Sequence, residues 1–429
     1  MTAIPQEGSP DSTLSLATDP YRFIARGCRR HRSDLFQTRL LLHPVICMQG
    51  EAAARLFYDI ERFSREGIAP AIAKKTLFGE DGIQGLDGDK HRVRKQMFMS
   101  LMSDDAIARL TDRFNGEWRR RLAQWASMKK VVLGDEVRQV LFRAVSGWAG
   151  VPFDEAEARL RADDLGAMID GVGSIGVRHW RGRVARRRAD RWMTGLIEAV
   201  RSGRLAVDKS SVLHRFAMHR ESDGSRLDPR VAAVEVINIL RPTVAIDRFI
   251  IFAALALHQH PFCRQAIKSD LESDLGSNPE SGPEGYTYLF VQEVRRFFPF
   301  FPFVGAITRR PFEWQRYPFP GRTRVLLDLY GTNHDIRSWK KPDEFIPERF
   351  QQWDRGCFNF IPQGGGDHHV NHRCPGEWIV IALMKAAVQR LIGSMHYKVP
   401  EQDLRIRMSR LPAIIQSRFV MTDVQPIDE

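Results

Sequence analysis

Cysteine is scarce in this 429-residue chain. There are five, Cys28, Cys47, Cys263, Cys357 and Cys374, an odd number without a framework spacing. That distribution argues against a disulfide scaffold and for a reducing compartment. Long apolar runs are also missing, and residues 1–19 are rich in Ser, Thr, Pro, Gly and Asp. The sequence therefore reads as a flexible polar tail over 1–19 ahead of a single domain, 20–429, in a cytoplasmic protein without a membrane span. No internal repeat and no linker long enough to divide the chain are apparent. Acidic residues are in deficit, 52 against 64 Lys and Arg, for a net charge of +12. The densest basic run, 178–191, carries no zinc-finger, recognition-helix or RNA-module signature, which argues against a nucleic-acid partner. It reads as a solvated helix face. Steering of anionic substrates, or docking of an acidic partner or surface, are its other uses.

What is present is mostly helical periodicity. Short strands are expected at 35–42 and 44–48 with His43-Pro44 as the turn, then a helix over 51–63 and a glycine loop over 79–88. A helix over 91–102 follows, with Ser103-Asp104 capping the next. Helical segments at 106–125, 136–148, 155–169, 186–202, 231–258 and 286–298 come next, and strand signals return at 303–308, 324–329, near Tyr397 and at 418–422. The fold class is mainly α with a minor β part, in one domain.

One stretch carries unusual chemistry. Phe360-Ile-Pro-Gln-Gly-Gly-Gly-Asp-His-His-Val-Asn-His-Arg-Cys374-Pro-Gly-Glu377 places a cysteine just before the apolar helical run 378–384, with Pro375 suited to a first helical position. Backbone N–H groups and the positive end of a helix dipole favour a thiolate, and glycines allow backbone to approach a flat macrocycle. The chemistry suits a haem-iron ligand. A buried structural cysteine, or a zinc site using His368, His369 and His372, are the other uses of these residues, although no second cysteine stands at finger-like spacing. Two further segments precede the loop: Glu293-Val-Arg-Arg296, where a carboxylate and a guanidinium share one helical face, and Lys341-Pro-Asp-Glu-Phe-Ile-Pro-Glu-Arg349-Phe350.

Together, in this order and spacing, the three segments resemble the cytochrome P-450 superfamily, and the resemblance covers nearly the whole chain. The long loop between the glycines and Cys374 is similar to that of the fatty-acid peroxygenase branch. The resemblance implies a cytochrome P-450 fold with haem b between the long central helix and the cysteine-loop helix, and Cys374 as the iron ligand. A thiolate ligand favours O–O cleavage. By the same resemblance Gly366 and Arg373 lie against the cofactor, Arg65, His91 and Lys95 contact its propionates, and Glu293, Arg296 and Arg349 are structural supports.

The segment 231–255 departs from conventional members, which carry an acid followed by an alcohol where this chain has Arg241-Pro242. A proline inside a helix forfeits the bond to the carbonyl four residues earlier and costs roughly 3 kcal/mol or more. An arginine among apolar residues is costly unless paired. No carboxylate stands three or four residues away, so its partner is expected from another segment or a ligand. Apolar runs at Leu77-Phe78, 297–303 and 411–415 suggest a greasy channel ending at this guanidinium, with Phe78 in the substrate pocket. The implied function is a peroxygenase that uses hydrogen peroxide, without a reductase, to hydroxylate long-chain fatty acids at the α or β carbon. The substrate carboxylate on Arg241 would serve as general acid–base. Gln84 matches the family's distal residue and resembles the hydroxylating members. A decarboxylase giving terminal alkenes, and a reductase-dependent monooxygenase using Thr243 as the alcohol, are the alternatives.

Overall fold

The computed structural model describes residues 2–221, 223–272 and 285–427. Helices dominate, and their amphipathic stripes explain where they pack. In the helix Asp104–Trp125, Ala106, Leu110, Phe114, Trp118, Leu122 and Trp125 are buried at three- and four-residue intervals. Ser103 caps it, its hydroxyl accepting from the Ala106 N–H at 3.3 Å. The helix Asp247–Gln259 is buried from Asp247 through Leu257, so it runs through the core rather than along its surface. The helices Leu133–Ala149 and Glu377–Gly393 pack against both, and Ala158–Gly171 packs between Leu133–Ala149 and Val177–Arg201.

The minor β part has as its largest sheet five strands in the spatial order Leu35–Leu40, His43–Met48, Arg324–Asp328, Phe303–Thr308 and Phe63–Ser64, beside a three-stranded sheet of Val131–Val132, Val420–Pro426 and Met395–Lys398 and two two-stranded ones. Only the pair Val45 to Met48 with Arg324 to Leu327 is parallel. The expected hairpin turn at His43-Pro44 is instead made by Leu41 and Leu42, both in the left-handed region with φ of 51° and 63°. Pro44 sits in the second strand opposite Arg39, one residue before pairing with the third strand begins. Its missing N–H is therefore not required there.

Three further differences matter. Residues 2–19 lie against the sheet rather than off it: Ile4 is buried, Gln37 N–H donates to the Pro5 carbonyl at 2.8 Å, and Thr13–Thr18 is a short helix. The helix expected over 51–63 stops at Phe57, leaving Phe63–Ser64 to pair as an edge strand. The helix expected over 231–258 is two, Pro229–Val244 and Asp247–Gln259, separated by a turn three residues after Pro242.

Candidate active site

The cysteine loop is tied at several points. Gly366 N–H donates to the Cys357 carbonyl at 3.0 Å and Cys374 N–H to the Gln363 carbonyl at 3.1 Å. Asn371 accepts from Asp367 N–H and donates to the Tyr58 carbonyl, both at 2.8 Å, which anchors the long insertion to the end of the helix Glu51–Phe57. Gly366 has φ of 82°, and any Cβ there would overlap the Asn371 side chain, so glycine is required twice over. The following helix starts at Glu377 with Gly376 as its cap, two residues later than the expected start at Pro375. Burial pushes the Cys374 thiol up, against the Gly376 N–H, Lys95 and the Gln363 amide, which act the other way. The helix terminus alone thus does not ionise the sulfur, and metal coordination would have to supply the deprotonation.

Beside the loop lies a buried cationic cluster. Arg65 donates to the carbonyls of Gly305 at 3.0 Å and Phe57 at 3.4 Å, with its guanidinium 4.0 Å from the Phe57 ring centroid. Burial lowers its pKa to about 10. Lys95, lowered by burial to about 8, donates to the Arg373 carbonyl. The His91 and His372 rings stack with centroids 3.9 Å apart, and burial holds His91 at about 4 and His372 well below its ordinary value. Among the described residues neither Arg65 nor Lys95 has a carboxylate partner, although each is at most 8% exposed. Buried cations without counter-charges are costly. This donor set fits a bound group that brings its own carboxylates.

Arg373 turns to its own helix, donating to Glu377 at 2.7 Å and to the Gly366 carbonyl at 3.2 Å. Burial would raise the Glu377 carboxyl, but Arg295, His368 and Arg373 hold it well below the usual range. Of the histidines considered for zinc, His368 bonds Glu377 at 2.9 Å while His372 bonds the Leu86 carbonyl at 2.9 Å. They serve different partners. Among the described residues no group of three His, Cys, Asp or Glu could hold a metal ion.

Across the site stands Arg241. Its Nη2 donates to the Asn238 amide oxygen at 2.9 Å, its Nε is buried without a partner, and it makes no ion pair among the described residues. Within the helix its acceptor is Asn238, one turn back, a neutral amide that supplies no counter-charge. Asn238 in turn donates to Glu235 at 3.0 Å and to Gln84 at 3.3 Å. Glu235 is fully buried and accepts from Arg94 at 2.6 Å and from Ile83 N–H at 2.9 Å. Burial lowers the Arg241 pKa to about 9, with Arg186 adding to the effect and Cys374 and Glu235 opposing it. Beside Arg241 an apolar cluster joins Leu77, Ile169 and Ala245 to Phe78, Val172, Phe300 and Phe301. Phe78 ends a π-helical turn, Lys74–Phe78, and Gln84 lies in a 3-10 turn, Ile83–Gly85. Thr243 donates to the Ile239 carbonyl at 2.9 Å.

Glu293 and Arg296 form a bidentate pair at 2.7 Å for both contacts, with both side chains fully buried. Arg349 joins Glu293 at 3.3 Å, and Arg296 also donates to the carbonyls of Asn333 and Pro342. Sequence reasoning overlooked Asn238, Glu235, Gln363 and Arg295. Asn238 and Glu235 could have been found as successive i−3 steps back from Arg241. His372 was considered only for zinc.

The family described as Cytochrome P450 matches residues 284–419. Alignments to the first curated cytochromes P450 span only 30% and 27% of those proteins' lengths. Solved structures match throughout. Cytochrome P450SP alpha (CYP152B1) in complex with (R)-ibuprophen is 48% identical, with TM-score 0.92, over 97% of this chain and 99% of that one. Cytochrome P450EX alpha (CYP152N1) with myristic acid is 40% identical, with TM-score 0.94, over all of both chains. A variant of cytochrome P450 OleT in complex with arachidonic acid is 32% identical, with TM-score 0.94, again over all of both chains.

Proposed function

The chain belongs to the cytochrome P450 family, and from that membership we propose that it is a fatty-acid peroxygenase whose substrate supplies its own acid–base group. Thiolate-ligated haem b, the cofactor of the family, supplies the oxidising chemistry when bound. Cys374 would be the sulfur ligand, and Arg65, His91 and Lys95, whose side chains make no ion pair among the described residues, would receive the two propionates. Glu293, Arg296 and Arg349 brace the segments behind the loop.

The observation that carries the reading is Arg241: a buried guanidinium with an unpartnered Nε and only a neutral amide acceptor, beside an apolar cluster. Such a group binds a carboxylate whose tail is greasy. The three related structures were each solved with a carboxylic acid. Hydrogen peroxide needs a proton moved from one oxygen to the other for its O–O bond to break heterolytically, and a carboxylate held by Arg241 is placed to do so. Arg241 and Asn238 fix its position. Arg241-Pro242 stands where conventional members carry an acid followed by an alcohol, and the Thr243 hydroxyl is committed to the Ile239 carbonyl. This disfavours the reductase-dependent reading.

Anchoring the acid's head at Arg241 puts the α and β carbons nearest the reacting centre. Gln84, on the Asn238 amide, offers hydrogen bonds but does not titrate near neutrality. The expected products with hydrogen peroxide, a saturated long-chain acid and no reductase are mainly 2- and 3-hydroxy acids, with terminal alkene minor. Gas chromatography of that reaction tests the reading. Predominant alkene one carbon shorter, hydroxylation near the methyl end, or no product without a reductase would overturn it.

A further inference from the structure

The proposed chemistry leaves unused an exposed face formed by residues 172–176 and the first four turns of the helix Val177–Arg201. Large apolar side chains point to solvent there: Ile175 is 90% exposed, Val177 77% and Trp180 62%, with Val184 also exposed. Ordinary surface apolar residues are scattered singly, whereas Val177, Trp180 and Val184 line one groove of about 740 Å³ with Leu160 and Ala167, and Ile175 stands two residues before Val177. Trp180, Val184, Arg187 and Arg191 follow one another at helical spacings of four, three and four, so a single stripe passes from apolar to basic. Arg178 and Arg181 flank it. These four arginines and Arg183 make no ion pair among the described residues, while the nearby carboxylates are engaged: Asp164 with Arg188, and Asp190 with Arg186 at 2.7 Å. Asp163 lies 4.0 Å from Arg138.

An apolar tip followed by uncompensated arginines has the form of a helix lying at a lipid–water boundary. The apolar residues and tryptophan enter the acyl boundary, while arginine stems reach back to phosphate. The tip is also continuous with the interior. Val172 packs in the apolar cluster beside Arg241, and Gly173 lies against Leu411. We propose that this face docks the protein on an anionic lipid surface. Duplex or single-stranded nucleic acid would not use Ile175 and Val177, and a neutral protein partner would leave the arginines unmatched. The inference stands apart from the proposed chemistry, since binding to lipid is read without turnover. If the peroxygenase reading also holds, docking brings substrate to the tip.

Flotation of the haem-loaded protein with phosphatidylcholine vesicles, with and without phosphatidylglycerol, tests it. Binding is expected only with the anionic lipid and should weaken as salt is raised. Arg187→Gln with Arg191→Gln should weaken it about fivefold per charge removed, and Ile175→Ser with Val177→Ser should also release the protein. Both pairs are on the surface, so an unchanged haem spectrum shows that the fold is kept. Equal binding to neutral vesicles, or unchanged binding of both variants, would overturn the proposal. So would a dimer in sedimentation velocity that the Ile175→Ser, Val177→Ser variant loses, since the face would then belong to a second copy.

Discussion

Cys374 and Arg241 are each held in an unfavourable state by burial. A buried thiol favours its neutral form, and a buried guanidinium lacks a counter-charge. A ligand would relieve both conditions: a metal for the sulfur, and under the proposed function a carboxylate for the arginine. Cys374→Ala is expected to remove the thiolate-type absorption of the reduced carbon monoxide complex. No other cysteine lies in a comparable glycine-rich loop before a helix, so no substitute is available. Thiolate-type spectra in that variant would show the assignment to be wrong. Cys374 and Arg241 were legible in the sequence because an odd cysteine after glycines and an arginine in an apolar helix are chemically conspicuous. Asn238 was not, because an amide within a helix has no fixed partner until its rotamer is set. His372 was given no place beside the cofactor for a related reason: its position in the loop says nothing of its packing, which stacks it on His91.

The helix Pro229–Val244 is the element on which the account turns. Pro242 removes the N–H that the Asn238 carbonyl would accept, and three residues later the chain turns before restarting as Asp247–Gln259. Pro242→Ala should restore that hydrogen bond and stabilise the protein by up to about 3 kcal/mol. It should also lower turnover, by shifting Arg241 relative to Asn238. Chemical denaturation and peroxide-driven product formation measure the two effects; lower stability, or undiminished turnover, would contradict this view of the proline. Periodicity made the existence of the helices readable, as in 106–125, where the buried stripe agrees with the expected one. It did not show their ends. The hairpin turn fell on Leu41 and Leu42 because Pro44 can occupy a strand position that needs no donor, a fact of pairing rather than of composition.

At the scale of the whole molecule, the helical body with a small sheet followed from the distribution of periodic segments, and the order of three motifs placed the loop. The packing of residues 2–19 on the sheet was not visible, since a polar stretch with isolated apolar residues looks the same whether docked or free. Acid stability offers a test of how the interior treats charge. His334 is packed between Tyr330 and Phe297, and burial lowers its pKa to about 3 from 6.5. Its folded pKa lies below the unfolded one, so the unfolded chain binds more protons. Its contribution is complete above pH 6.5 and is lost as pH falls through that value toward 3, at about 1.4 kcal/mol per unit. Denaturant unfolding at a series of pH values should show that slope, reduced by one proton in His334→Phe. An unchanged slope would contradict the assignment. The central claim is that the substrate's carboxylate, held at Arg241, performs the proton transfer, and the most direct measurement compares the protein with Arg241→Ala under hydrogen peroxide without a reductase. The account predicts that the variant loses fatty-acid turnover while keeping its haem spectrum, and that the unaltered protein oxidises apolar molecules lacking a carboxylate only when a short carboxylic acid is added. Full turnover of a fatty acid by Arg241→Ala would contradict it.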